Sequence, residues 1–263
     1  MKILAHQIDG PTNAPVVVLL HPILATSNIW LPQVGAWSSE HRLLRIDLPG
    51  HGRSPLGQTL ANLSAYADAV WSVLDAVGIR CASLVGASFG GMVAQAMVLQ
   101  QPERVTSLVL AHATGRTDER VRAIWEQRLA DYSQQGSEAH ALATLARWFT
   151  PGYLEKSGLT RAWIGDMIRD TPQEGYFNAV RAIQGLDHSE RLQSIVAPAL
   201  VVAGEFDTAI PVQAARALAD QIPGARFEVV VDAAHMSGIE QSGTFTMLVG
   251  DFLRSVNRLG NQH

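Results

Sequence analysis

The chain has one cysteine, Cys81, among 263 residues, so it can build neither an internal disulfide framework nor a thiolate metal site. Cys81 opens the stretch "CASLVG" and reads as a small buried apolar residue. Charge of either sign is scarce, and 20 Lys and Arg against 24 Asp and Glu leave a net charge of −4 with a pI near 6.1. No basic patch arises, so nucleic acid is not an expected partner. No apolar run approaches the roughly 20 residues of a membrane-spanning helix, and "MKILAHQIDG" turns polar too soon for a signal peptide. A cytoplasmic protein with no membrane partner is expected. Spacing of His, Cys, Asp and Glu suggests no metal site, and no glycine pattern marks a phosphate or dinucleotide loop. Neither a metal nor a cofactor is expected. The chain also lacks internal repeats and low-complexity segments. What remains, 47% hydrophobic and 17% charged, is the composition of an ordinary globular protein, and nothing in it selects between a monomer and a homo-oligomer. Its length suits one α/β domain with an insertion.

Short apolar runs recur at "VVVLL" (16–20), "RLLRID" (42–47), "ASLVG" (82–86), "VTSLVLA" (105–111), "PALVVAG" (198–204) and "RFEVVV" (226–231). Several are apolar throughout, as strands covered on both faces of a parallel sheet must be. There is room for one more strand before residue 16. Between the runs, Leu63, Tyr66, Ala67, Val70, Leu74 and Val77 share one helical face, as do Met92, Val93 and Met97, and then Val212, Ala215, Leu218 and Ile222. Alternating strand and helix predicts a doubly wound, mostly parallel sheet. The alternation stops between residues 115 and 190. That stretch is helical in character and contains Trp125, Trp148 and Trp163, with turns at "TPGY" and "DTPQEG". It is expected to be a helical cap (115–190) inserted into a core made of residues 1–114 and 191–263.

The stretch "LVGASFGGMVAQ" (84–95) sets Ser88 between Gly86 and Gly90, where a strand gives way to a helix. Tight strand-to-helix turns use glycine for backbone room alone. The sharper reading is a nucleophile elbow, G-x-S-x-G, which lifts a serine hydroxyl above the sheet edge. A serine nucleophile needs a base, and the base an orienting carboxylate. Chemistry in such sheets collects beyond the carboxyl ends of the strands. That selects His235, in "DAAHMSG" after the last strand, and Asp207, in "EFDTAIP" after "LVVAG". A loop Asp can instead be a helix cap and a loop His simply solvated; the three together favour a Ser88–His235–Asp207 triad. Oxyanion donors are expected from the backbone N–H groups of Phe89 and of Ile23, since Pro22 has none. His21 and His51 are read as turn and packing residues. Leu24, Trp125, Trp148 and Met236 are the expected substrate-binding residues. Arg128 or Arg147 would meet a substrate carboxylate, unless each is an exposed helix arginine.

With those residues in place, the chain resembles the α/β-hydrolase superfamily over nearly its whole length, through "LLHP", "DLPGHGRS", "VGASFGG", "AGEFD" and "AAHMSGIEQSGTF". A narrower likeness is to the 3-oxoadipate enol-lactonases, through "IW" at 29–30, "LARWFTPGYLE", "DTPQEGYFNAVRAI" and "AAHMSGIEQ". It departs from that group in its "HPILA" oxyanion loop, its "ASFG" elbow and a shorter N-terminal region. The resemblance implies a cofactor-free serine hydrolase acting on a small carboxylic ester or lactone, possible enol-lactones of aromatic-acid catabolism included. Carbon–carbon bond hydrolysis, cofactor-free haloperoxidase or perhydrolase chemistry, and a non-catalytic ligand receptor are the alternatives on the same scaffold.

Overall fold

The structure, a computed structural model, describes residues 3–57 and 62–260. A seven-stranded sheet forms its middle layer. β1 (His6–Asp9) is the additional strand for which the sequence left room, and it lies antiparallel to β3 (Arg42–Ile46). β2 (Val16–Leu20), β3, β4 (Ala82–Ala87), β5 (Val105–Ala111), β6 (Ala199–Gly204) and β7 (Arg226–Val230) are all parallel. Their residues from β2 to β6 are almost all buried, as their unbroken apolar character demands. In space the order is β1-β3-β2-β4-β5-β6-β7. The connection leaving β2 runs to β3 on one side, while β4 lies on the other. The carboxyl ends of β2 and β4 therefore flank a crevice at the point where the winding reverses, which is where such sheets bind ligands.

Helices cover both faces. α1 (Leu31–Trp37) follows the loop after β2, and α2 (Leu63–Ala76) starts where the Asn62 side chain accepts the N–H of Ala65 at 3.0 Å. α3 (Phe89–Gln100) follows the Ser88 turn directly and is buried nearly all round, packed against α2 and β4. Between β5 and β6 come α4 (Glu119–Trp148), α5 (Pro151–Lys156), α6 (Gly158–Asp170) and α7 (Gln173–Gln184), with no named strand among these described residues. Gly136, at φ 79° and ψ 179°, interrupts α4. The two ends of this helical segment are tied together by an antiparallel bridge between Arg116 and Asp187. The Thr117 N–H donates to Leu186 O and the His188 N–H to Gly115 O, both at 2.9 Å. α8 (Val212–Asp220), α9 (Ser237–Glu240) and α10 (Ser242–Gly260) complete the chain. Among the described residues, no helix is long and apolar enough to cross a membrane.

Cys81 departs from its expected place: it is exposed. Burial begins one residue later, at Ala82, because Cys81 lies at the incoming end of β4, outside the layer the helices cover.

Candidate active site

Ser88 has φ 52° and ψ −115°, a conformation that costs a non-glycine residue roughly 1–3 kcal/mol and persists only where its surroundings enforce it. The enforcement is visible in the glycines. A Cβ on Gly90 would stand 2.2 Å from Leu20 O and 2.8 Å from His21 O, and one on Gly86 would stand 2.4 Å from Gly90 O. Without a side chain Gly90 lets the turn pass close to β2, and Gly86 lets the end of β4 lie against the start of α3. Ser88 itself donates its N–H to Ala111 O at 2.8 Å, which ties the turn to the end of β5. Phe89, as the first residue of α3, has an N–H with no intrahelical acceptor.

Asp207 follows β6. Its Oδ1 accepts the N–H groups of Ala209 and Ile210, each at 2.9 Å. Its Oδ2 accepts from His235 Nδ1 at 2.8 Å. A second imidazole reaches the same oxygen: His112 Nδ1 lies 2.9 Å from Oδ2, and His112 Nε2 lies 2.6 Å from Ser237 Oγ. Burial opposes charge on Asp207, but the two imidazoles and their hydrogen bonds outweigh it and hold the carboxyl well below the usual range. Spacing along the chain suggested no metal cluster, yet the fold gathers His112, Asp207 and His235 with their ligating atoms within 4.8 Å of one another. The N···O separations of 2.8 and 2.9 Å are hydrogen-bond distances from each imidazole to the carboxylate.

Sequence reasoning missed His112, although it stands immediately after β5 and meets the strand-end criterion that selected His235. It also missed Glu240. The Glu240 carboxylate accepts the Ala234 N–H at 2.8 Å through Oε2, next to His235, and the N–H and hydroxyl of Thr150 through Oε1. No periodicity announces such a brace. Asp118, an acid following β5, is exposed and caps α4 by accepting the Val121 N–H at 2.8 Å.

Ser88 and His235 line one cavity of about 100 Å³, without a direct hydrogen bond between them. Serine–histidine contacts in hydrolases often tighten only around substrate. Ile23, Leu24, Met92 and Thr208–Ile210 complete the side formed by the sheet, and α4 and α7 supply Trp125, Arg128, His140, Arg147, Trp148 and Tyr176. The Trp148 ring lies 6.4 Å from that of His235. Met236 lines a smaller space of about 20 Å³ on the other side of His235, together with His112 and Phe245. Trp163 is half-buried outside the cavity lining.

The polar part of the cavity carries two arginines, Arg128 and Arg147. Among the described residues, no carboxylate lies within ion-pair distance of Arg128 or Arg147. Arg128 stacks over Trp125 at 4.6 Å, and Arg147 donates to Thr144 Oγ1 at 2.8 Å. Burial and the neighbouring Arg128 bring Arg147 down to about 10, and burial also lowers Arg128. Burial, then Arg147 and Arg128, lower His140 to about 4, so it is neutral near pH 7. His140 Nε2 and the Tyr176 hydroxyl are buried without a partner.

His21 and His51 lie outside the cavity lining and hold loops together. His21 Nδ1 donates to Pro22 O at 2.7 Å, and its Nε2 accepts the Leu48 N–H at 2.8 Å. Asp47 accepts the N–H groups of Ser27 and Arg53.

A mostly parallel sheet, a strained serine between strand and helix, and an acid and a histidine in the loops of the last two strands define an α/β-hydrolase. The chain belongs to the alpha/beta hydrolase fold family, whose model it matches over residues 15–242. It is 32% identical to 3-oxoadipate enol-lactonase 1 of Acinetobacter baylyi over 262 residues, covering 97% of this chain and 94% of that one. The crystal structure of the enol-lactonase from Burkholderia xenovorans LB400 superposes with a TM-score of 0.91 at 34% identity, covering 95% of this chain and 96% of that one. A thermophilic esterase from Thermogutta terrifontis, with malate bound, superposes with a TM-score of 0.89 at 26% identity, covering 96% and 93%.

Proposed function

We propose that the protein is a serine hydrolase that cleaves a small carboxylic ester or lactone bearing its own carboxylate. The observation behind this reading is the meeting of Ser88, on its strained turn, with the Asp207-bound His235 in one small cavity. In this scheme Ser88 Oγ attacks the acyl carbonyl while His235 Nε2 takes its proton, and Asp207 stabilises the imidazolium. The N–H groups of Ile23 and Phe89 receive the oxyanion. His235 then protonates the departing oxygen. Water, deprotonated by the same imidazole, releases the acyl group from Ser88. For a lactone the departing oxygen remains tethered in the acyl-enzyme and leaves as part of the hydroxy acid or its keto tautomer.

Residues 115–190 act as the cap over this cavity, closed at their base by the Arg116–Asp187 bridge. Arg128 and Arg147, neighbouring cations with no carboxylate in ion-pair distance among the described residues, suit a substrate carboxylate, which would also accept from the Tyr176 hydroxyl. Two relatives are enol-lactonases and a third, an esterase, was solved with a dicarboxylate. A single cysteine suits a cytoplasmic setting for this reading.

The test is a hydrolysis screen across p-nitrophenyl esters, simple lactones and enol-lactones, with and without Ser88→Ala. Wild type should turn over short or carboxylate-bearing substrates, and Ser88→Ala should lose orders of magnitude in kcat while remaining folded. A fluorophosphonate should label wild type at Ser88 and leave the variant unlabelled. Activity retained by Ser88→Ala would remove the serine from the mechanism.

A further inference from the structure

Asp207 is the orienting acid of the proposed scheme, yet His235 has only half of the oxygen it bonds. Both lone pairs of Oδ2 are engaged, one by His235 Nδ1 at 2.8 Å and the other by His112 Nδ1 at 2.9 Å. An ionised carboxylate can only accept, so each imidazole must carry its proton on Nδ1 and a lone pair on Nε2. In His112 that lone pair accepts the Ser237 hydroxyl at 2.6 Å. In His235 it is left for the cavity. The two rings stand 5.4 Å apart at 64°. Serine, imidazole and carboxylate thus occur twice around one acid, but Ser237 is 0% exposed and no substrate can reach it.

The His112 backbone adds a second observation. Its φ is 52°, the left-handed region that non-glycine residues seldom occupy. Its N–H donates to Val202 O at 2.8 Å, which continues the β5–β6 ladder and turns the side chain toward Asp207. The ionisable groups facing it are Asp207 from the loop after β6, His235 from the loop after β7, and Glu240 from α9. Burial outweighs the attraction of both acids and keeps His112 neutral.

We propose that His112 is a positioning residue: it shares Asp207 Oδ2 with His235, fixes the carboxylate's rotation and the Nδ1–H form of His235, and limits how firmly Asp207 holds a second proton on His235. The inference extends the assignment of His235 as base. With His112 drawing on the same oxygen, less of the carboxylate's charge serves the imidazolium that forms on His235. Removing the His112 N–H would concentrate Asp207 on His235. The acidic limb of kcat/KM would then move to higher pH.

The experiment compares His112→Phe, His112→Gly and His112→Asn with wild type. Phenylalanine and glycine both remove the donor, and glycine tolerates the positive φ should the phenylalanine variant fail to fold. Asparagine accepts that φ and keeps an N–H donor close to the Nδ1 position. In the Phe or Gly variant the acidic limb should rise by roughly half to one pH unit with KM nearly constant. In the Asn variant it should stay near wild type. An unshifted limb in a folded variant without the donor would overturn the proposal and leave His112 a packing residue.

NMR reads the same coupling without turnover. Wild type near pH 7 should show strongly deshielded Nδ1–H signals from both His112 and His235, and the His235 ring should titrate at higher pH once the His112 donor is gone. A wild-type His112 protonated at Nε2 would overturn the proposal even if neither variant folds. If no ester or lactone is hydrolysed but the NMR result holds, the hydrolase reading fails and the shared-acid arrangement stands.

Discussion

Glu240 holds Thr150, 90 residues away in sequence, by accepting its backbone N–H at 3.0 Å and its hydroxyl as well. The other oxygen of the same carboxylate accepts from Ala234, the residue before His235. One side chain therefore joins the loop that follows α4 to the loop bearing the proposed base. Glu240→Gln leaves one oxygen for three donors and turns an NH2 group toward an N–H. A loss of about 1–3 kcal/mol in stability is expected from the buried mismatch, with kcat reduced more than KM is raised. Urea denaturation and steady-state kinetics check it; a variant as stable and as active as wild type would show that the brace has no role.

Burial of neutral histidines makes the fold sensitive to acid. His21 is lowered from 6.5 to about 4 and His51 to about 3, in both cases chiefly by burial. In the unfolded chain both titrate near 6.5, so below that pH the unfolded state binds more protons than the folded one. Stability should be fully present above about pH 6.5 and fall as pH drops toward 3–4, by up to about 1.4 kcal/mol per pH unit for each such histidine. His51→Asn keeps a donor for Pro49 O, which His51 Nδ1 contacts at 3.1 Å, and cannot titrate. Urea midpoints measured from pH 8 to pH 4.5 should slope less steeply for His51→Asn. Parallel slopes would mean that His51 is protonated within the folded protein.

The paired arginines give a test of substrate chemistry. Arg147→Gln or Arg128→Gln should raise KM roughly 10- to 100-fold for a carboxylate-bearing ester, a loss of about 1.4–2.8 kcal/mol. A neutral ester of the same size should be unaffected or improved. Arg147→Lys should recover part of the effect, since it restores the charge without the planar fork. Equal losses on charged and neutral esters would assign the arginines to the architecture of α4, not to recognition.

The parts of this fold that were legible in sequence are those dictated by local rules. Short apolar-rich runs marked β2 to β7 within a residue of their bounds; β2, β4 and β6 are apolar or small throughout because they are covered on both faces, whereas β3 and the edge strand β7 carry charged residues. The elbow was legible because Gly86 and Gly90 answer to a close backbone approach that any side chain would obstruct. Asp207 and His235 were legible because they follow strands. His112 and Glu240 were not, since their roles depend on partners far along the chain: Asp207 lies 95 residues and Ser237 125 residues from His112. Cys81 misled because an apolar neighbourhood in sequence is not the same as a covered position in the sheet. Arginines on a helix look alike in sequence; that Arg128 and Arg147 face a cavity without an ion pair among the described residues is a property of the fold.

Trp148 tests cavity size and cap together. Its side chain is buried, lines the cavity with Ser88, and lies beside His235. It has structural work as well, since its carbonyl accepts the Met236 N–H at 3.1 Å; that backbone bond survives substitution of the side chain. A cavity of about 100 Å³ has little room beyond a short acyl group. Wild-type kcat/KM should therefore fall steeply from acetyl or butyryl esters toward acyl chains of about ten carbons, as a small pocket disfavours methylenes it cannot hold. Trp148→Ala should relax that limit by roughly tenfold or more on the longer esters, and should lower stability by about 3 kcal/mol through the cavity it leaves. Chain-length series measured on both proteins decide the matter. Identical profiles would assign Trp148 to the packing of α4 alone, and a wild type that prefers long chains would exclude the small-pocket reading.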